Sequence, residues 1–139
     1  DYKNSEIVTQ IRLHGIERCT KLLGVVENKT NFFDQLDVFC MLSDSEGFPT
    51  VVGEAMAHGL PCIVSDVGDA RIMLSDDEQL IEFNTIPSIY SKMLAMIRTN
   101  PCRKLEISLR NRQRISNHFN LKKMVERYEE VYRLSCSTS

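Results

Sequence analysis

The sequence lacks several features that mark special classes of protein. It has no tryptophan, six glycines and four prolines in 139 residues, and no glycine- or proline-rich tract. No apolar run approaches the roughly 20 residues that cross a bilayer, and the polar start at Asp1–Asn4 contains no signal-peptide core. Its 42% hydrophobic and 26% charged residues are ordinary, so a single globular domain is predicted over 1–139.

Cysteine pairing is not expected either. The five cysteines form no Cys-x-x-Cys pair and their number is odd, which favours reduced thiols in a cytoplasmic protein over a disulfide framework. Cys40 and Cys62 sit inside apolar runs, where a thiol behaves as a small hydrophobe. His14, His58 and His118 have no metal-ligand spacing with the cysteines, so no metal site is predicted. No phosphate-binding glycine loop or nucleophile elbow occurs.

Charge is distributed unevenly along the chain. Residues 98–139 hold ten basic and four acidic side chains, a net charge of +6, whereas residues 1–97 hold seven and fifteen, a net charge of −8. The favoured interpretation is a pair of solvated helices. The alternative is a basic face over 98–133 that contacts anionic lipid at the inner face of the membrane. No aromatic residues interleave the basic ones, so nucleic acid is not an expected partner.

Short apolar runs alternate with amphipathic segments, which predicts an α/β fold with a parallel sheet. The sheet region is expected over about 1–83 and a helical region over about 84–135. Strands are predicted at about 19–26, at 38–42 as a buried parallel strand, at 62–65 and, more weakly, at 79–83. Helices are predicted after Asn4 or Ser5 as far as Gly15, after Asn28 or Thr30, at 50–59, at 86–97, at 103–119 and after Asn120. The apolar stripes of the last helices are expected to be core.

The polar loop Ser43–Pro49 is the candidate functional site. It joins a predicted buried strand to a helix, and ligands of open α/β sheets bind at the carboxyl ends of strands. The free N–H groups at the start of the helix favour an anion such as a diphosphate. Gly47 removes a side chain where the backbone must approach a ligand.

Two carboxylates accompany this loop. Thr50 and Glu54 are four residues apart and share one helix face, and Gly53 thins that helix for a ligand or for another structural element. Glu54 is suited to accept from a ribose diol and Glu46 from sugar hydroxyls. The alternative is that Glu54 is a surface residue and Glu46 only complements the helix dipole. Spacing alone leaves both interpretations open.

The surrounding segments resemble a known family. Glu46–Pro49 followed by Glu54–Ala57 is similar to the Glu-x7-Glu signature of retaining glycosyltransferases with the GT-B fold, especially the large family 4 group. Segments 36–43, 57–68 and 23–25 agree with neighbouring parts of that pattern. The resemblance is specific over about residues 19–74. It implies a Rossmann-like parallel sheet flanked by helices, the C-terminal, donor-binding half of a GT-B enzyme.

The resemblance also implies roles for individual residues. The donor-binding set would be Glu46, Gly47, Phe48, Pro49, Thr50, Val51 and Glu54. Glu46 would be the catalytic residue and would contact the donor sugar, while Glu54 would hold the ribose. The amides of Thr50 and Val51 would meet the diphosphate, and the 24–27 region would lie near the base. No cofactor and no protein-bound metal are expected, since the nucleoside-diphosphate sugar is itself the substrate.

The chain departs from the family pattern, and these departures indicate which parts of such an enzyme we expect it to lack. The family's diphosphate-clamping Arg and Lys, the first strands of the domain and the N-terminal acceptor domain all lie before this chain begins. We therefore expect a partial domain that is inactive alone, with that acceptor domain as its partner. A missing sheet edge would invite dimerisation. Asp69–Arg71 replaces a family segment with a second Gly and Pro-Glu, and Arg71 is expected to play a surface role rather than to bind phosphate.

Two other functions remain open on the sequence. A sugar-nucleotide 2-epimerase shares the GT-B architecture, but those enzymes usually present Ser-Gly-Gly where this chain has Glu46–Pro49. A non-catalytic nucleotide-binding or interaction module is the other, and the retained Glu46 and Glu54 argue against it.

Overall fold

The computed structural model describes residues 5–137. The described residues up to Phe32 form one compact unit and those from Phe33 onward a second. The first contains α1 (Ser5–Leu13) and a short 3-10 turn, Glu17–Cys19. Helix α1 ends before Gly15, whose positive φ of 62° confirms the predicted stop. The predicted cap at Asn4 lies outside the described residues.

The strand predicted at about 19–26 is wrong. Cys19 ends the 3-10 turn, and the residues after it form no strand. Gly24 has a left-handed φ of 68°, which no extended strand accommodates. Val25 is 92% exposed, so the short apolar run there buries little surface. Helix α2 (Lys29–Phe33) follows.

The second unit contains a three-stranded parallel sheet, as predicted. Its strands are β1 (Phe39–Met41), β2 (Cys62–Ser65) and β3 (Leu80–Ile81), in the order β1-β2-β3. Phe39 pairs with Cys62, and Val64 pairs with Leu80. The bounds of β2 are those predicted, while β1 and β3 are shorter than the apolar runs that contain them.

Helices flank and follow the sheet. They are α3 (Thr50–Ala57), α4 (Ala70–Leu74), α5 (Ile86–Arg98), α6 (Pro101–His118) and α7 (Leu121–Ser137). Side-chain oxygens cap the last three, since Thr85, Asn100 and Asn120 each accept from a backbone N–H three residues on. Among the residues described as far as 137, the regular elements after β3 are all helices, as predicted for the region after residue 83. None of the helices described over 5–137 is both long and apolar enough to cross a membrane.

The core of this unit lies around β2. All four residues of β2 are buried, and α3 buries Val52, Ala55 and Met56 completely. A buried polar pair links α6 to the sheet: Asn111 donates to the Leu60 carbonyl at 2.8 Å, and Gln79 accepts from the Cys62 amide at 2.8 Å. The two side-chain amides also bond each other, so both are satisfied inside the core.

Two burial expectations are wrong. Cys40 in β1 is exposed, because alternate side chains of a strand point to opposite faces and only the Phe39 side is covered. The apolar stripe of α7 is not core: Met124 is 50% and Tyr128 60% exposed. In α5 only Met96 is buried, while Ile86 and Tyr90 of its stripe are exposed. Ile89 of α5 packs against the core cluster that contains Met96, so the α5 stripe is covered in part.

Candidate functional site

Polar side chains converge where the three parallel strands end. Ser43 follows β1, Ser65 ends β2 and Asn84 follows β3. The Ser43 amide donates to the Ser65 hydroxyl oxygen at 3.1 Å, and the Ser65 hydroxyl donates to Asn84 Oδ1 at 2.7 Å. Asn84 Nδ2 in turn donates to the Ser43 carbonyl at 2.8 Å. This closed ring, which we call the strand-end triad, fixes the start of the candidate loop.

The triad orients Glu46. The Ser43 hydroxyl donates to Glu46 Oε1 at 2.8 Å, so one carboxylate oxygen is held three residues into the loop. Glu46 is half-buried, and a carboxylate has further lone pairs beyond the one that this bond uses. The side chain predicted to contact a donor sugar is therefore anchored at the carboxyl end of the sheet.

A second loop supports the candidate loop from below. The Asp69 amide donates to the Gly47 carbonyl at 2.9 Å. Gly68 has a positive φ of 55°, and a Cβ placed there would overlap the carbonyl oxygens of Glu46 and Gly47. Only glycine permits this approach, since any side chain would push the two loops apart. Nothing lies within 4 Å of a Cβ built on Gly47, so its own side is open.

The loop leads directly into α3. Pro49 is buried in front of the helix, and its carbonyl accepts from the Val52 amide at 3.0 Å. The Thr50 amide donates to the Phe48 carbonyl at 2.9 Å. Val51 and Glu54 are half-buried, and Glu54 follows Thr50 by one helical turn, as the sequence predicted. The predicted site residues from Glu46 to Glu54 thus form one continuous loop and helix start.

Gly53 makes room for other helices of the fold. A Cβ at this position would lie 3.6 Å from Met73 Sδ in α4 and 3.7 Å from Ile115 Cδ1 in α6. Of the two explanations open on the sequence, the structure therefore provides the second, a neighbouring element. The face of α3 that carries Gly53 thus lies at ordinary contact distance from α4 and α6.

The remaining candidates are held in structural contacts. Arg71 donates to Asp66 and to Asp77, and the Asp66 hydrogen bond raises the pKa of its guanidinium. His58 Nδ1 lies 3.2 Å from Asp34 Oδ1. These contacts support the surface role expected for Arg71.

Sequence reasoning missed two members of the strand-end triad. The sequence motifs assign no role to Ser65 or to Asn84. A usable signal existed, because each is a polar residue at or just beyond the end of an apolar strand. Parallel strands bring their carboxyl ends to one sheet edge, so these residues had to meet.

A cavity of about 350 Å³ borders the same loop. It is lined by Phe48, His118, Phe119, Asn120, Met124, Arg127 and Tyr128. The rings of Phe48 and Phe119 lie 5.8 Å apart, and Arg114 lies over the Phe119 ring at 5.6 Å. The aromatic contact ties the candidate loop to the junction of α6 and α7.

Comparison with known proteins assigns the chain to a family. Residues 1–99 match the family described as Glycosyl transferases group 1. The chain belongs to this family. The predicted resemblance to a glycosyltransferase is thereby confirmed, and the match includes the whole segment from Glu46 to Glu54.

Two bacterial relatives of this glycosyltransferase chain are named by their reactions. The UDP-Gal:α-D-GlcNAc-diphosphoundecaprenol α-1,3-galactosyltransferase of Escherichia coli is 35% identical over 114 residues, which is 80% of this chain and 29% of the relative. The N-acetyl-α-D-glucosaminyl L-malate synthase of Bacillus anthracis is 28% identical over 119 residues, covering 84% of this chain and 31% of the relative. Neither is named as an epimerase, so that alternative is not favoured.

The fold has a solved counterpart. Sucrose-phosphate synthase from Thermosynechococcus elongatus superposes with a TM-score of 0.83 at 20% identity, over 96% of this chain and 34% of that chain. The predicted GT-B fold, with its parallel sheet, flanking helices and helical C-terminal region, is confirmed. The chain spans about a third of the length of the proteins that it matches.

Proposed function

We propose that this chain is the donor-binding part of a retaining glycosyltransferase. The enzyme moves a sugar from a nucleoside-diphosphate sugar to a glycan or lipid-linked acceptor. The observation that carries the proposal is the Glu46 to Glu54 segment, which lies within the family match and is anchored at the carboxyl end of the sheet. A relative whose name specifies UDP-Gal and a diphosphoundecaprenol acceptor supports both substrate classes.

In this proposal, different residues bind the ribose, the donor sugar and the diphosphate. Glu54 accepts from the ribose hydroxyls, and Glu46, held by Ser43, contacts the donor sugar and is the catalytic residue. The backbone of Gly47 and Phe48 contacts the donor sugar beside Glu46, and the start of α3 meets the diphosphate. The Thr50 amide already donates to the Phe48 carbonyl, so the Val51 amide is the donor to the phosphate in this proposal. Gly47 suits its role beside the sugar because its Cβ side is open to an approaching ligand.

The proposed chemistry needs no metal held by the chain. Leaving of the nucleoside diphosphate develops negative charge on its phosphate oxygens. Backbone N–H groups and the positive end of the α3 dipole stabilise that charge in place, which is electrostatic catalysis. The family's Arg and Lys, which belong to a part of such enzymes outside this chain, would supply the remaining positive charge.

Nucleotide titration tests the proposal. The full-length protein is titrated with UDP, GDP and ADP in separate calorimetric experiments. We expect one diphosphate to bind most tightly and thereby to identify the base. Glu54→Gln is expected to weaken that diphosphate about tenfold, because a hydrogen bond between a charged group and the ribose is lost.

Glu130→Gln is the matched control, since it removes the same charge from an exposed position of α7. It should bind the diphosphate as the wild-type protein does. Absence of binding by all three diphosphates would contradict the proposal, and equal weakening by both variants would remove the ribose role from Glu54. Mass-spectrometric product analysis with the selected sugar nucleotide then separates transfer from 2-epimerisation.

Several partner and location predictions accompany the proposal. An acceptor-binding N-terminal domain, a cytoplasmic location and contact of the basic C-terminal region with anionic lipid stay predictions. Dimerisation through a sheet edge also stays a prediction, with β1 and β3 as the outer strands. Sedimentation with anionic liposomes at low and high salt would test the lipid contact, because an electrostatic attachment is released by salt.

A further inference from the structure

Asn84 links residues from separate strand ends, and the family resemblance assigns no function to it. It follows β3 and lies 41 residues along the chain from Ser43 and 19 from Ser65. Its side-chain amide nevertheless bonds both residues, at 2.8 Å to the Ser43 carbonyl and at 2.7 Å from the Ser65 hydroxyl. One side chain thus joins the carboxyl ends of all three strands.

The chemistry of the partners fixes the orientation of this amide. The Ser65 oxygen already accepts from the Ser43 amide, and its single hydrogen is left to donate to Asn84 Oδ1. The Ser43 carbonyl can only accept, so the NH₂ group of Asn84 must face it. Aspartate has the same shape but would set an oxygen against that carbonyl. The ring therefore requires an amide at position 84.

The ring also fixes Ser43 completely. Both the N–H and the C=O of Ser43 are held, by Ser65 and Asn84 respectively. Its remaining polar group, the hydroxyl, donates to Glu46 Oε1 at 2.8 Å. A movement of the Ser43 backbone would therefore be transmitted to the Glu46 carboxylate through this hydrogen bond.

We infer that Asn84 is a positioning residue that holds the Glu46 carboxylate, through Ser43, in the orientation that binds the donor sugar. The inference rests on the proposed function, which places the sugar at Glu46. Asn84 therefore affects the binding of the donor sugar and not the binding of the nucleotide. Glu54 and the α3 N-terminus, which the ring does not include, retain the nucleotide.

The test separates the sugar end from the nucleotide end. Full-length wild type and Asn84→Asp are titrated with UDP and UDP-galactose, GDP and GDP-mannose, and ADP and ADP-glucose. We expect Asn84→Asp to weaken the preferred sugar nucleotide about tenfold, the effect of a displaced hydrogen bond to a charged group. Its diphosphate should bind within about twofold of wild type, because the nucleotide contacts are unchanged.

Asn100→Asp is the matched control. It makes the same chemical change at the N-cap of α6, where a carboxylate accepts from the Arg103 amide as well as the amide oxygen does. Both ligands should then bind as to wild type. A second variant, Asn84→Ala, removes the bonds without adding charge and should also weaken the sugar nucleotide selectively.

Other outcomes overturn the inference. Equal loss of diphosphate and sugar nucleotide would show that Asn84 only supports the fold, and unchanged affinity for both would show that Glu46 does not depend on it. If wild type binds no diphosphate, the proposed function fails. Hydrogen exchange of the peptide that covers Ser43–Pro49 still tests the positioning: faster exchange in Asn84→Asp supports it, and unchanged exchange contradicts it.

Discussion

Helices α3 and α7 have the same kind of sequence pattern and opposite environments. In α3 the apolar residues Val52, Ala55 and Met56 are all fully buried. In α7 the apolar stripe at the same spacing is open, with Met124 50% and Tyr132 67% exposed. Hydrophobic periodicity therefore identifies which face of a helix is apolar, but it does not identify what covers that face.

The difference follows from where each helix sits along the chain. Helix α3 lies between β1 and β2, and a helix that connects parallel strands must pack on their sheet. Helix α7 comes after the last strand, and no such connection fixes its position. The burial of α3 thus follows from its place between two parallel strands. No such connection determines the burial of α7.

The largest expected effect comes from a matched pair of methionines. Met56→Ala in α3 should lower the free energy of unfolding by about 3 kcal/mol, since it leaves a cavity in a fully buried site. Met124→Ala in α7 should cost less than about 1 kcal/mol, because half of that side chain already contacts water. Urea denaturation of both variants measures the difference. Similar losses would show that α7 is buried in solution and would end the comparison.

A substitution of Gly68, in the second loop that contacts the candidate loop, is expected to have the next largest effect. Gly68→Ala should lower the free energy of unfolding by about 2 kcal/mol, because a Cβ overlaps two carbonyl oxygens at a positive φ. It should also displace the loop that carries Glu46.

Gly15→Ala is its control. Gly15 has a similar φ of 62° with nothing within 4 Å of a built Cβ, so it shows the backbone strain without the overlap. Thermal unfolding of both variants separates the two contributions. A Gly68→Ala loss no larger than that of Gly15→Ala would mean that the two loops move apart freely.

Much of the sheet-bound part could be predicted because local chemistry dictates it. Cys62–Val64 is an apolar run that follows a Gly-Leu-Pro stop and ends in Ser65, and the bounds predicted for this strand are confirmed. Asn120 was identified as a cap because its side chain can satisfy the free amides of the helix that follows. The strand at about 19–26 failed, because composition does not reveal that Gly24 takes a left-handed conformation.

The candidate site was predictable in part for the same reason. The spacing of Glu46 and Glu54 is local, and it placed both on the loop and helix that the structure confirms. The strand-end triad depends on residues up to 41 positions apart, which meet only after the strands align. Spacing along one segment cannot show such a contact.

Charged side chains also meet across separations of 25 and 34 residues along the chain. The excess of basic residues after position 98 was interpreted as a pair of solvated helices. In the structure Arg103 of α6 pairs with Glu78, and Arg110 pairs with Asp76, whose carboxylate is largely buried. Part of the basic excess is thus neutralised by ion pairs within the chain, between α6 and the acidic segment before β3.

The smallest expected effect is a pH dependence of stability between pH 9 and 10 that comes from the buried Cys62 thiol of β2. Burial raises the pKa of the Cys62 thiol to about 12 from its ordinary value of 9.0, and this thiol donates to the Leu60 carbonyl at 3.3 Å. Between pH 9 and pH 12 the unfolded chain loses this proton while the folded chain keeps it, so the unfolded state binds fewer protons. Stability therefore falls as pH rises through this range, by about 1 kcal/mol between pH 9 and 10.

Comparison of variants isolates this contribution from other groups that titrate in base. Cys62→Ala should reduce the fall in stability above pH 9. Cys136, by contrast, lies at an exposed position of α7. In the folded wild-type protein a thiol reagent should modify Cys136 and should reach Cys62 only on unfolding, because the thiolate is the reactive form and Cys62 stays protonated and buried. Equal modification of the two cysteines would show that β2 opens to the reagent as readily as α7. The two regions would then differ in solvent exposure but not in local stability.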